Sequence, residues 1–133
     1  MGDNDFDVGL WLDEWLKGHP EVLERSNRLK NPYLLHMIKV LWPYDTRGLR
    51  RVDIIDRVRS MRPPSSKLPM PRAFEETVQS AYNHYCSESE VFKKRGAGPD
   101  EALFYPVGRK GSGKWAVRRD RAREWLLKHE FEL

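Results

Sequence analysis

Residues 102–119, ALFYPVGRKGSGKWAVRR, decide the fold that the sequence predicts. Two apolar, β-prone runs, ALFYPV and KWAVR, flank the tip GRKGSG at residues 108–113. Gly111 and Gly113 can adopt the positive φ angles of a tight turn, so this stretch predicts a β-hairpin with a cationic tip. Arg and Lys side chains on such a tip can approach phosphate groups closely.

Two helices are predicted upstream of the hairpin, separated by a short turn. The segment NPYLLHMIKVLWP has Asn31 as its N-cap and must end before Pro43. After the turn YDTRGL, the segment RRVDIIDRVRSMR places Val52, Ile55 and Val58 at helical spacing. We expect these three side chains to face the core.

A third helix is predicted at residues 72–87, RAFEETVQSAYNHYCS. Its apolar residues share one face: Phe74, Val78, Ala81, Tyr82 and Tyr85. Gln79 and Asn83 belong to its polar face. The preceding segment PPSSKLPMP, at residues 63–71, has four prolines and predicts a loop.

Further elements are predicted towards both ends of the chain. The segments FDVGLWLDEWLKG, at residues 6–18, and HPEVLERSNRLKN, at residues 19–31, favour helices. The segment EVFKK at residues 90–94 favours a short strand. A closing helix is expected at residues 120–131, with Asp120 as its N-cap and Trp125, Leu126 and Phe131 docking it.

The chain length limits how these elements are organised. A chain of 133 residues suffices for one domain with a real core, but not for two independent domains. We expect an N-terminal helical extension at residues 1–31 and a domain at residues 32–133. The tryptophans are expected to anchor the core: Trp11, Trp15, Trp42, Trp115 and Trp125. The predicted fold class is α+β and mainly helical.

Charge is distributed in blocks along the chain. Residues 1–30 carry seven acids and four bases, whereas residues 47–72 carry eight bases and two acids. Residues 93–123 carry ten bases and three acids, while residues 73–92 hold four glutamates and no Lys or Arg. A fold that joins the two basic blocks creates a cationic face able to attract polyanions.

Composition weighs against membrane and disulfide-stabilised proteins. The chain lacks an apolar run near the roughly 18 residues of a membrane helix, and its N-terminal MGDNDFD is acidic where a secretory signal is basic. A cytoplasmic location is therefore expected. The single Cys86 excludes an internal disulfide and a cysteine-based zinc site.

The sequence offers little for catalysis. The four histidines are scattered: His19, His36, His84 and His129. Asp53 and Asp56 share a helix edge, but Arg51 and Arg57 beside them favour surface ion pairs. We expect no catalytic site, no metal and no cofactor. An enzyme is a third hypothesis, which a concave pocket with clustered ionisable groups would favour.

The order helix, turn, helix, loop, helix, β-hairpin resembles a winged helix-turn-helix domain over residues 32–119. The segment LLHMIKVLWPYDTRGLRRVDIIDRVRSM, followed much later by GKWAVRR, is similar to HARE-HTH-type domains associated with restriction and chromatin proteins. In that family the third helix enters the DNA major groove, and the hairpin wing lies along the backbone or minor groove. The resemblance therefore implies a DNA-binding winged helix.

The resemblance also implies roles for individual residues. Arg72, Gln79 and Asn83 would reach base edges or enter the groove, and the hairpin tip would contact the backbone. The cations expected on phosphates are Arg47, Arg50, Arg51, Lys67, Arg72, Arg109, Lys110, Lys114 and Arg118. Gln and Asn side chains can make bidentate contacts with adenine. Glu75 and Glu76, at the start of the third helix, oppose a phosphate there.

These residues also have ordinary structural interpretations. A cationic tip can serve solubility, and Gln79 and Asn83 can belong to a hydrated helix face. Arg118 and Arg119 can pair with Asp120 or cap the closing helix.

The function predicted from sequence is non-catalytic binding of double-stranded DNA, as in a small transcriptional regulator or a restriction-linked accessory protein. The alternative is a winged-helix module for protein interaction or homodimerisation through the Trp-rich N-terminal helix. That alternative requires Val8, Leu12 and Trp15 to form an uncovered apolar stripe.

Overall fold

A computed structural model describes residues 2–19, 33–61, 73–109 and 111–129, with side chains from Leu10 onwards. The helices are α1 (Gly2–Gly18), α2 (Leu34–Leu41), α3 (Arg51–Ser60), α4 (Phe74–Tyr85), α5 (Glu90–Lys94) and α6 (Arg119–His129). A 3-10 segment covers Trp42–Arg47, with a break at Asp45, where φ is 49° and ψ is −127°, and a 3-10 helix covers Pro99–Glu101. The strands are β1 (Leu49–Arg50), β2 (Phe104–Pro106) and β3 (Lys114–Val117).

The described chain is mainly helical with a small antiparallel sheet, which confirms the α+β class. The predicted helix at residues 19–31 and the predicted loop at residues 63–71 lie outside the described residues. So do Lys67, Arg72, Lys110 and Phe131. None of the described helices is both long and apolar enough to span a bilayer.

The sheet has the strand order β1-β3-β2, with both pairings antiparallel. Leu49 lies opposite Trp115 across the β1–β3 pair, and Phe104 lies opposite Val117 across the β2–β3 pair. The hairpin of β2 and β3 was predicted from sequence. Strand β1 was missed, because two residues are too few to show the alternating pattern of a strand.

One hydrophobic core joins residues of α1, α2, α3, α4, α6 and the sheet. Trp15, Trp42, Trp115 and Trp125 are buried in it, and Trp11 packs against it, which confirms their predicted role. Leu12 is 1% exposed and Trp15 is 8% exposed. The body of the domain therefore covers these two members of the proposed interaction stripe, while the side chain of Val8 is outside the described set.

The core face of α3 differs from the predicted one. Val52 is 59% exposed, whereas Ile54, Ile55 and Val58 are buried. Each residue of a helix advances by about 100° around its axis, so residues 51, 55 and 58 lie on one face. Val52 lies at the edge of that buried face. Arg51, the first residue of α3, therefore occupies a core-side position and is half-buried.

Three predictions of local structure are wrong. Helix α2 begins at Leu34 with Tyr33 at the N-cap position, so Asn31 is not its N-cap. The segment EVFKK forms helix α5 instead of a strand, because the Ser89 hydroxyl caps it by accepting a hydrogen bond from the Phe92 amide at 3.1 Å. Helix α6 begins at Arg119, so Asp120 lies in its first turn and is not its N-cap. The Ala122 amide donates to the Arg118 carbonyl at 2.9 Å, which closes that turn.

Candidate nucleic-acid interface

A groove of about 320 Å³ runs between α4 and the β2–β3 hairpin. Its lining residues come from α3, α4, the loop after α4, the hairpin tip and the sheet: Arg51, Gln79, Tyr82, Asn83, Cys86, Glu88, Ser89, Pro106, Gly111, Gly113 and Trp115. The folded chain thus brings the third predicted helix and the hairpin tip to one site.

The floor of the groove is aromatic. The Tyr82 and Trp115 rings stack with centroids 3.8 Å apart and planes 5° from parallel. The Cys86 thiol donates to the Tyr82 hydroxyl oxygen at 3.3 Å. Tyr82 and Trp115 are each 5% exposed, so they are core residues, as predicted. Their stacking fixes β3 against α4 and thereby sets the spacing between helix and hairpin.

Burial raises the pKa of the Tyr82 hydroxyl above its usual value. Because the folded pKa lies above the unfolded one, this stabilising contribution is intact below about pH 10 and is lost as the pH rises further. We expect the free energy of unfolding to fall above about pH 10, and Tyr82→Phe to flatten that fall. Urea unfolding at a series of pH values, followed by circular dichroism, tests this; equal pH slopes in both proteins would contradict it.

A polar chain lies along one side of the groove. Arg51 Nε donates to Gln79 Oε1 at 2.6 Å, and Gln79 Nε2 donates to Asn83 Oδ1 at 3.1 Å. The Gln79–Asn83 contact follows from their spacing of four residues on a helix. The contact with Arg51 could not be anticipated, since it depends on the way α3 packs beside α4. We call these three residues the donor chain.

Cations gather at the base of the hairpin. Arg50 lies opposite Lys114 in the β1–β3 pair, and the Arg51 amide donates to the Gly113 carbonyl at 2.8 Å. Arg50 also donates from Nε to Asp53 Oδ2 at 3.0 Å. Arg109 and Lys114 are exposed, and no carboxylate of the described residues lies within ion-pair distance of either.

Among the described residues, Arg51 is the only predicted phosphate contact that lines the groove. Arg47 and Arg118 instead pack against aromatic rings. The Arg47 guanidinium is 5.7 Å from the Tyr44 ring centroid. Arg118 is half-buried, with its guanidinium 4.4 Å from the Tyr105 ring centroid. Within the described part of the chain, Arg118 Nε is buried without a hydrogen-bond partner. Stacking on Tyr105 therefore holds Arg118 against the sheet.

Arg119 has a structural role at the start of α6. Its Nε and Nη2 atoms donate to the Trp42 carbonyl at 2.9 and 2.6 Å. Its Nη1 atom lies 3.6 Å from Asp45 Oδ2. These contacts tie α6 to the 3-10 segment after α2. They differ from the pairing with Asp120 that the sequence left open as one alternative.

The acidic start of α4 is partly neutralised from α3. Glu75 and Glu76 are exposed in the first turn of α4, and Arg59 Nη2 lies 3.7 Å from Glu75 Oε1. Since this pair is exposed, it contributes little to stability, but it lowers the local negative charge beside the helix. Glu88 adds a carboxylate to the groove itself.

Among the described residues, no cluster of three His, Cys, Asp or Glu side chains is arranged to hold a metal ion. Comparisons with protein-family models, with curated proteins and with solved structures found no match to this chain.

Proposed function

We propose that this chain is a winged helix-turn-helix domain that binds double-stranded DNA without catalysis. The order α2, β1, α3, α4, β2, β3, with β3 between β1 and β2, is consistent with that architecture. In this proposal α4 is the helix that faces the DNA groove, and the β2–β3 hairpin is the wing.

The observation that carries the proposal is the convergence of cations at the base of the β2–β3 hairpin. Arg50, Arg51 and Lys114 meet at the base of the hairpin, and Arg109 lies on its tip. These residues come from both basic blocks of the sequence. A duplex seated there would exchange its condensed counterions for these four side chains, so its affinity would depend steeply on salt.

The hairpin tip suits a close approach to phosphates. Gly111 and Gly113 have φ values of 83° and 81°, and a Cβ on either would meet nothing within 4 Å. The backbone is thus uncovered on both sides of Ser112, while Arg109 and Lys114 supply charge. Phosphate contacts of this kind fix the orientation of a protein on a duplex, while base contacts supply specificity.

The double variant Arg109→Ala with Lys114→Ala tests the wing. Each lost phosphate contact lowers the slope of log affinity against log salt by about 0.9, so we expect a slope smaller by about 2 and weaker binding for every duplex sequence. Fluorescence anisotropy of a labelled duplex measures this.

The matched control is Lys17→Ala with Lys128→Ala, which removes the same charge from α1 and α6. Both residues are exposed and pair with carboxylates, Lys17 with Glu14 and Lys128 with Asp100. We expect this control to retain most of the affinity. If the two double variants lost the same affinity, the loss would depend only on the net charge of the protein. The wing would then not be part of the interface.

A further inference from the structure

We propose that Arg51, Gln79 and Asn83 act as a cationic, donor-rich site for acceptor groups of DNA, either backbone phosphate oxygens or the N7/O6 edge of guanine. This inference rests on the proposed function. Isolated Gln and Asn side chains favour adenine. For the donor chain we infer a different ligand, a group of DNA that accepts hydrogen bonds.

The direction of the hydrogen bonds follows from chemistry alone. A guanidinium can only donate, so the Gln79 atom 2.6 Å from Arg51 Nε must be its carbonyl oxygen. The Gln79 amide nitrogen then faces Asn83, whose contacting atom at 3.1 Å must be its oxygen. Arg51 therefore fixes the orientation of both amides.

Each of the two amide oxygens thus accepts one hydrogen bond within the donor chain and keeps its second lone pair. Besides the second N–H of Gln79 Nε2, three donor atoms are left over: Arg51 Nη1, Arg51 Nη2 and the Asn83 amide nitrogen. Within the described residues, these three atoms have no hydrogen-bond partner. The three side chains line the groove and are half-buried, so the site is held in place yet open to a ligand.

A cationic site rich in donors favours ligands that present acceptors. A phosphate offers only acceptors, and guanine presents two acceptors, N7 and O6, in the major groove. Bidentate recognition of adenine needs one donor and one acceptor on the protein. Asn83 can still supply that acceptor from the second lone pair of its oxygen, but the positive charge of the Arg51 guanidinium favours ligands that offer acceptors only. Gln79 is then a positioning residue, and Arg51 is the principal contact.

Glu88 is the opposing charge on the same groove. Its exposed carboxylate would repel a phosphate or an acceptor edge held by Arg51. We expect Glu88→Gln to strengthen duplex binding a few-fold, since it removes that repulsion and keeps the size of the side chain.

The test compares Arg51→Leu with Arg57→Leu, a matched loss of one charge on the exposed side of α3. Leucine suits the core-side position of Arg51, and thermal unfolding checks that both variants fold. Binding is measured by anisotropy with three duplexes of equal length: G·C-rich, A·T-rich, and G·C-rich with 7-deazaguanine, which lacks the N7 acceptor.

Two results would support the site and identify its ligand. If the ligand is phosphate, Arg51→Leu weakens all three duplexes alike and lowers the salt slope by about 1, while Arg57→Leu does not. If the ligand is guanine, the protein prefers the G·C-rich duplex by about 5-fold to 150-fold, and either 7-deazaguanine or Arg51→Leu abolishes the preference.

Other results would overturn the inference. If binding depends on salt but Arg51→Leu weakens it no more than Arg57→Leu does, this site does not contact the DNA. The proposed function would still stand. A preference for the A·T-rich duplex that Asn83→Leu abolishes would mean that Asn83 reads adenine. Failure of the unaltered protein to bind any of the duplexes would overturn the proposed function together with this inference.

Discussion

Gly48→Ala is expected to destabilise the protein by roughly 3 kcal/mol or more, because two separate costs meet at this residue. Gly48 has φ 65° and ψ −173°, a region that is essentially restricted to glycine. An added Cβ would also lie 2.7 Å from Val107 Cγ2 and inside contact distance of the Trp115 carbonyl oxygen. The oxygen belongs to the central strand, so relief requires separation of β1 from β3.

The matched control for this prediction is Gly96→Ala. Gly96 has φ 64°, nearly the same angle, but a Cβ there would meet nothing within 4 Å. It should cost about 1 kcal/mol, the penalty of the left-handed backbone alone. Thermal unfolding by circular dichroism should place Gly48→Ala on the order of 10 °C below the unaltered protein. Equal melting temperatures for the two variants would refute the close approach of β1 to β3.

Trp115→Ala is expected to cost about 3–5 kcal/mol, a large part of the stability of a small domain. Trp115 is 5% exposed, stacks on Tyr82 of α4 and lies between Leu49 and Pro106 in the sheet. Its removal leaves a cavity where sheet and helix meet. Chemical unfolding in urea, followed by circular dichroism, measures the loss.

Leu127→Ala serves as the comparison for Trp115→Ala. Leu127 belongs to α6 and is 45% exposed, so its truncation should change stability by no more than about 0.5 kcal/mol. If Trp115→Ala were as mild as this, the stacked pair would not hold α4 against the sheet. Since that contact sets the width of the groove, DNA binding should decline together with stability in Trp115→Ala.

The predictable parts of this fold are those with local signals. Helices α2, α3 and α4 follow from apolar spacing, and the hairpin follows from two β-prone runs around a glycine-rich tip. Strand β1 depends instead on residues distant in sequence, since Leu49 pairs with Trp115. Helix α5 carried a local signal, the Ser89 cap, but the apolar pair Val91 and Phe92 favoured a strand.

The charges of the candidate site could be predicted from the sequence, but the hydrogen bonds between its side chains could not. The basic character of Arg109 and Lys114 and the polar face of α4 are visible in the sequence. The donor chain is not, because Arg51 lies 28 residues from Gln79 and reaches it only through the rotation of α3. The same rotation exposes Val52, which was expected to face the core, and turns Arg51 towards the core side instead.

The most direct test of the central claim is the affinity of the unaltered protein for a random-sequence duplex at about 50 and 200 mM salt. If Arg50, Arg51, Arg109 and Lys114 each contact a phosphate, the affinity should fall by about a hundredfold between these concentrations. Absence of binding at both concentrations, or binding that does not change with salt, would contradict a phosphate interface built on the hairpin.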